Sequence, residues 1–159
     1  MRNTSQPRLT VLVTGTASDS HTWNLMFLQL LVEEQEHRVV NLGPCVPPEL
    51  LADTCQRVAP DLVVLSSVNG HGYPDGLRAV THLRDRLGPA APPVVIGGKL
   101  GVAGPLAAEQ VHRLLAAGFA AVFDGGDLDR FRGYLHRLAA GAAAAVPEES
   151  TVDAIGAGL

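Results

Sequence analysis

Hydrophobic and polar positions along the chain alternate between two patterns. Leu9-Thr10-Val11-Leu12-Val13-Thr14 is an apolar run rich in β-branched residues that ends at Gly15, before a polar stretch from Thr16 to His21. Leu25, Phe27, Leu28, Leu31 and Val32 then recur at helical spacing and predict one apolar helix face, closed by the polar residues Glu33 to His37. The strand-then-helix order returns. Arg38-Val39-Val40-Asn41-Leu42 predicts a second strand, broken by Gly43. Pro47 and Pro48 suit the first turn of a helix, where proline lacks an N–H that would be unpaired anyway. That helix runs from about Glu49 to Ala59 with Leu50, Leu51, Cys55 and Val58 inward, and Pro60 stops it. Asp61 to Ser67 is a third strand, and its continuous apolar stretch fits burial on both faces. After a loop at Asn69 to Gly72, Leu77, Val80, Leu83 and Leu87 mark a helix that Gly88-Pro89 ends. The rest reads as a fourth strand Pro93 to Gly98, a helix Ala107 to Ala117 capped by Gly118, a fifth strand Ala120 to Asp124 and a last helix Asp127 to Ala139.

Repeated β-α units predict an α/β fold: a doubly wound, five-stranded parallel sheet with helices on both faces. Five strands suit the flavodoxin-like order 2-1-3-4-5, whose switch point lies between strands 1 and 3. The expected layout is a flexible N-terminus over 1–8, a Rossmann-like domain over 9–139, and an Ala/Gly-rich, mostly disordered tail over 140–159.

Composition narrows the classes. Apolar residues make up 47% and charged residues 18%, which excludes a chain disordered throughout. The formal charge of −4 gives no general attraction to nucleic acid. No apolar run approaches the ~20 residues of a membrane helix, and Met1 to Arg8 lacks the apolar core of a secretory signal. Cys45 and Cys55 form neither a disulfide framework nor a zinc pattern. A cytoplasmic location is the expectation.

In a doubly wound sheet, ligands bind beyond the carboxyl ends of the strands near the switch point. Three loops leave that edge from strands 1, 3 and 4: Gly15 to Asn24, Ser66 to Gly72, and Gly97 to Gly104. They are rich in Gly, Ser and His. In the first, Asp19 and His21 are two apart and can pair, the carboxylate fixing the imidazole tautomer and raising the basicity of its other nitrogen. One histidine cannot hold a free metal ion, but it can be the single protein ligand of a metal already held by a macrocycle. A plainer reading has Asp19 capping the first helix and His21 solvated. Ser66-Ser67-Val68 can hold the edge and face of an aromatic ring, or simply cap the strand end. Gly97-Gly98 permits close backbone approach by a bulky ligand, or is a tight turn. No Gly-Lys-Ser/Thr run and no GxGxxG follow strand 1, which speaks against a nucleotide or dinucleotide site. His71 and Lys99 read best as surface residues. Cys45 lacks a neighbouring base, and Cys55 suits a helix core. Trp23 is the only tryptophan, placed either on a ligand or under the first helix.

Taken together, these pieces resemble the cobalamin-binding domain of mutases and methyltransferases. That family carries D-x-H-x-x-G, then S-x-L, then G-G, after strands 1, 3 and 4. The counterparts here are Asp19-Ser20-His21-Thr22-Trp23-Asn24, Ser66-Ser67-Val68 and Gly97-Gly98. Asn24 stands in place of the motif glycine and Val68 in place of leucine. The segments Val39 to Glu49 and Leu65 to Gly72 look like the small subunit of glutamate mutase (methylaspartate mutase), as does the chain length. The resemblance implies that His21 is the lower axial cobalt ligand, displacing the cofactor's own dimethylbenzimidazole and oriented by Asp19. It implies that Ser18, Ser20, Thr22, Asn24, Ser67 and Gly70 also lie against the cofactor. The freed nucleotide tail would enter a slot between the sheet and the first helix, lined by Ser66 and Val68, with Gly97 and Gly98 leaving room for it.

The resemblance further implies a function. The chain would hold adenosylcobalamin base-off/His-on for a separate large subunit, a (β/α)8 barrel that binds an acidic amino acid, L-glutamate or 3-methylaspartate. No catalytic residue is expected in this chain, and alone it should be inactive. Two alternatives stay open. One is a different cobalamin module, a corrinoid methyl carrier or a regulator. A carrier usually has a helical bundle above the corrin, for which this chain has no room, and the tail is a poor partner-binding segment. The other is a corrin-free, flavodoxin-like binding protein, faintly signalled by the hydroxyl-rich Thr14-Gly15-Thr16-Ala17-Ser18.

Overall fold

A computed structural model describes residues 7–141. The flexible segment expected over 1–8 and the tail expected over 140–159 lie almost entirely outside them. Five strands form the sheet: β1 (Thr10–Gly15), β2 (Arg38–Gly43), β3 (Leu62–Ser67), β4 (Val94–Gly98) and β5 (Ala121–Asp124). All neighbouring pairs are parallel, in the order β2-β1-β3-β4-β5. The connecting helices are α1 (Trp23–Glu34), α2 (Pro48–Val58), α3 (Gly72–Leu87) and α4 (Ala108–Ala117), and α5 (Leu128–Ala139) follows β5. The predicted fold and strand order are those found.

The order reverses after β2, so right-handed crossovers put α2, α3 and α4 on one face and α1 and α5 on the other. Alternation along each strand divides the apolar side chains between them. Leu12, Val63, Leu65, Val94, Ile96 and Val122 point into the three-helix face. Val11, Val13, Leu62, Val64, Val95 and Phe123 point into the two-helix face. β3 is buried at every position, as its unbroken apolar run predicts.

Three local expectations are corrected. Phe27 is half exposed rather than inward: at 100° per residue it lies beyond Leu31, at the edge of the face made by Leu25, Leu28 and Val32. Leu50 is likewise exposed, about 100° from the inward Leu51, and Ala52 and Thr54 are buried instead. Trp23 is not under α1; it is 79% exposed. It belongs with Met26 and Leu30 to the outer side of a helix that is apolar nearly all round. Among the described residues no helix is long and apolar enough to cross a membrane.

Candidate functional site

The carboxyl ends of β1, β3, β4 and β5 meet in register, with Gly15 opposite Ser66, Ser66 opposite Gly97, and Gly97 opposite Phe123. Above this edge the loop after β1 turns back at Asp19, whose N–H donates to the Thr16 carbonyl at 3.1 Å. The Asp19 side chain is 1% exposed and joins its own loop to the loop after β3. Its Oδ1 accepts from the His21 backbone N–H at 2.9 Å and pairs with His21 Nδ1 at 2.7 Å. Its Oδ2 accepts from the N–H groups of Val68 at 2.6 Å and Asn69 at 3.2 Å. The Asp19 carbonyl accepts from the Cys45 N–H, which brings in the loop after β2. Burial is the largest single influence on this carboxyl and opposes its ionisation. The combined hydrogen bonds from His21, Val68 and Asn69 outweigh it and hold the pKa below the ordinary value.

Asp19 therefore does not cap α1. Thr22 is the N-cap residue, and no side chain caps that end. Asp19 instead fixes the imidazole. A carboxylate at Nδ1 favours the tautomer that carries its proton there and leaves the Nε2 lone pair free. The His21 side chain is 57% exposed, so Nε2 is the nitrogen available to a ligand. Among the described residues no three His, Cys, Asp or Glu side chains gather to hold a metal ion.

A second buried carboxylate braces the same loop. Asp75, in the first turn of α3, accepts from the Ser18 N–H at 3.2 Å and the Ser18 hydroxyl at 2.5 Å, and pairs with Arg78. Burial again pushes its pKa up, and the bonds from Ser18 and Arg78 outweigh it, leaving it lowered. Asn69 Nδ2 donates to the Ser18 carbonyl and hydroxyl, both at 3.1 Å. Sequence reasoning missed Asp75 and Asn69. The signal for Asp75 was an acid in the inward stripe that it shares with Gly76, Ala79, Val80 and Leu83.

Beside this polar cluster the two-helix face is left open. A cleft of about 150 Å³ lies between α1, the start of α5 and the carboxyl halves of β3, β4 and β5. Leu28, Val64, Val95, Phe123 and Phe131 make it apolar, and Asn24 and Ser66 bring polar atoms to it, joined by Asn24 Nδ2 donating to Ser66 Oγ at 2.6 Å. An apolar cavity of ~150 Å³ takes one benzene-sized ring. At Gly97 a Cβ would press on Phe123 at 3.3 Å, so any side chain there would crowd the cleft. Gly98 also lines the cleft, but its first requirement is backbone: φ is +112°, and a Cβ would overlap the Ser67 carbonyl oxygen.

The structure thus gathers Ser18, Asp19 and His21 in one cluster and Asn24, Ser66, Val68, Gly97 and Gly98 around one cleft. It separates the others. Ser67 is buried, and its hydroxyl donates to Asn69 Oδ1. Gly70 packs under Val102, with φ of +88°. Ser20 is exposed, and Thr22 acts through its carbonyl at the start of α1. His71 is exposed at the N-cap of α3, and Lys99 is exposed. Burial raises the Cys55 thiol to about 11, in keeping with a core residue.

The sequence matches the B12 binding domain family over residues 9–127. The chain belongs to that family. Its fold resembles that of a cobalamin-binding protein from Desulfitobacterium hafniense, with 21% identity and a TM-score of 0.66 over 82% of this chain and 59% of that one. It also resembles the methanol:cobalamin methyltransferase complex of Methanosarcina barkeri, with 19% identity and a TM-score of 0.62 over 89% of this chain and 51% of that one. The chain thus spans between half and three fifths of the length of these cobalamin proteins. A LuxR-family response regulator from Aurantimonas is as similar in fold, with 16% identity and a TM-score of 0.66 over 93% of this chain and 97% of that one. Fold alone therefore carries no ligand. No curated protein sequence matches this chain. The family match favours a corrinoid over the corrin-free alternative.

The residues present fit a corrinoid whose lower base has left the cobalt. One oriented imidazole is available as an axial ligand, and an apolar cleft of one-ring size opens beside it.

Proposed function

We propose that this chain anchors cobalamin base-off/His-on and presents it to a partner catalytic subunit. His21 Nε2 is the lower cobalt ligand, Asp19 orients it, and the cleft under Asn24, Ser66 and Gly97 takes the displaced nucleotide tail. The observation that carries this reading is the Asp19–His21 pair at 2.7 Å, with Asp19 buried and tied to two further backbone N–H groups. When bound, the cofactor supplies the organometallic chemistry at cobalt. The chain's own residues bind it, orient the imidazole and keep water from the tail.

The finer reading is a glutamate mutase-like small subunit. It carries adenosylcobalamin for a (β/α)8-barrel subunit that holds an acidic amino acid, and it is inactive alone. The segments Val39 to Glu49 and Leu65 to Gly72 support it. A corrinoid methyl carrier is the second reading, favoured by the fold likeness to the methanol:cobalamin methyltransferase complex.

The test adds cobalamin to the purified chain and records the cobalt(II) EPR spectrum after reduction, with natural and 15N-histidine-labelled protein. The expected result is superhyperfine coupling that changes from nitrogen-14 to nitrogen-15 with the label and disappears in His21→Ala. Coupling insensitive to the label overturns His21 ligation. Mixing the loaded chain with a glutamate mutase large subunit and assaying 3-methylaspartate formation, against methyl transfer from methylcobalamin, separates the two finer readings.

A further inference from the structure

Asn24 stands where the family motif has glycine, and the structure shows what the change brings. Its carboxamide lies against the cleft and is held at one end only. Nδ2 donates to Ser66 Oγ at 2.6 Å, which ties α1 to β3. Oδ1 is buried and has no hydrogen-bond partner. A buried acceptor without a donor is costly, and native structures rarely keep one without a reason. Among the side chains of the cleft, Phe27, Leu28, Val64 and Val68 are apolar, and the Ser66 hydroxyl is already engaged with Nδ2. The bond to Ser66 keeps the oxygen from swinging away. The result is a fixed acceptor beside an apolar slot, complementary to a ligand whose buried end is apolar and whose adjoining part carries an O–H.

Resting on the cobalamin reading above, we infer that Asn24 recognises the sugar of the nucleotide tail. Oδ1 accepts a hydrogen bond from a ribose hydroxyl while the apolar walls hold the base. The asparagine then serves as a specificity residue, favouring corrinoids with a complete nucleotide over truncated ones.

The experiment measures affinities of cobalamin and of cobinamide, which lacks the ribose and base, for wild type, Asn24→Ala and Asn24→Leu. Loss of one hydrogen bond predicts about tenfold weaker cobalamin binding by both variants. Cobinamide binding should change less than twofold, which also shows that the variants are folded. Cobalamin binding by Asn24→Ala that equals or exceeds wild type overturns the inference: the side chain then merely occupies the motif glycine's space. Equal losses for both corrinoids also overturn it, since Asn24 then only supports α1. Wild type that binds neither corrinoid removes the cobalamin reading itself, an outcome distinct from wild type that binds while the substitutions do nothing.

Discussion

The two halves of the site are built in opposite ways. Around Asp19 buried carboxylates organise the loops: one takes hydrogen bonds from three residues and a second braces Ser18, while the Thr16 hydroxyl of the same loop is buried without a partner. The cleft along the same edge is apolar and bordered by a buried oxygen with no hydrogen-bond partner. The imidazole is held by the chain's own groups, whereas the walls of the cleft leave free volume between them. On the proposed reading, preorganisation sits where a metal–ligand bond would need a fixed nitrogen, and free volume sits where a bulky group would enter.

The most direct way to break this contrast is Asp19→Ala. It strands the N–H groups of Val68 and Asn69 and frees the His21 ring. The expected cost is roughly 3 kcal/mol of stability in urea unfolding, because buried donors lose a charged acceptor. Cobalamin added to the variant should show no histidine-nitrogen coupling. An Asp19→Ala protein of wild-type stability would mean that the carboxylate is not the keystone of the cluster.

The cleft should respond in the opposite sense. Gly97→Val puts branched carbons against Phe123 and into the free volume. Cobalamin affinity should fall on the order of a hundredfold, the equivalent of 2–3 kcal/mol of overlap, with a much smaller change in unfolding free energy. Gly76→Val on the other face is the control. A Cβ there already lies 2.6 Å from Ile96 Cδ1, in a packed core. It should cost roughly 2 kcal/mol of stability and leave the affinity of the folded fraction alone. If both valines lower stability equally, the cleft is as closed as the core.

A smaller effect is expected at the brace. Asp75→Asn keeps an acceptor for the Ser18 N–H but loses the charge that faces Arg78. The expected loss is about 1 kcal/mol, since Arg78 is largely exposed and its pairing is screened. Because Asp75 acts through Ser18, the His21 nitrogen coupling of the loaded protein should weaken or broaden rather than vanish. An unchanged spectrum would confine Asp75 to α3.

Much of this was legible in the sequence, for physical reasons. Apolar periodicity encodes strands and helices, and strand polarity encodes which loops share an edge, so Asp19, His21, Ser66 and Gly97 could be placed together from order alone. What was not legible depends on the far side of a contact. Phe123 and Phe131 line the cleft from β5 and α5, far along the chain from the motif, and read in sequence as ordinary core. Ser66 and Ser67 look equivalent as neighbours, yet alternation turns them to opposite faces of β3. Asn24 could be read as a tolerated glycine substitute. Its bond to Ser66 and its idle oxygen appear only when α1 is laid on the sheet.

Acid should separate the polar cluster from the remainder of the fold, in two steps. His37 closes the far end of the two-helix face, buried, with Nδ1 accepting from the Leu9 N–H at 3.1 Å. Burial and then the nearby Arg8 charge lower its pKa below 6.5. The unfolded chain therefore takes up this proton first. The contribution is complete above about pH 6.5 and is lost as pH falls through the folded-state value, with a slope of at most about 1.4 kcal/mol per pH unit. Asp19 and Asp75 are also lowered, from 3.8, so their contributions persist above that pH and are lost only below it. Urea unfolding followed across pH should show a shallow decline beginning below 6.5 that His37→Gln flattens. A second, steeper decline should begin below 4, and His37→Gln should leave it in place. Trp23 is the sole tryptophan, exposed two residues from His21, so its fluorescence reports on the cluster. That signal should change in the second step and stay constant through the first. A fluorescence change that tracks the His37 step would mean that the cluster and the far end of the face open together.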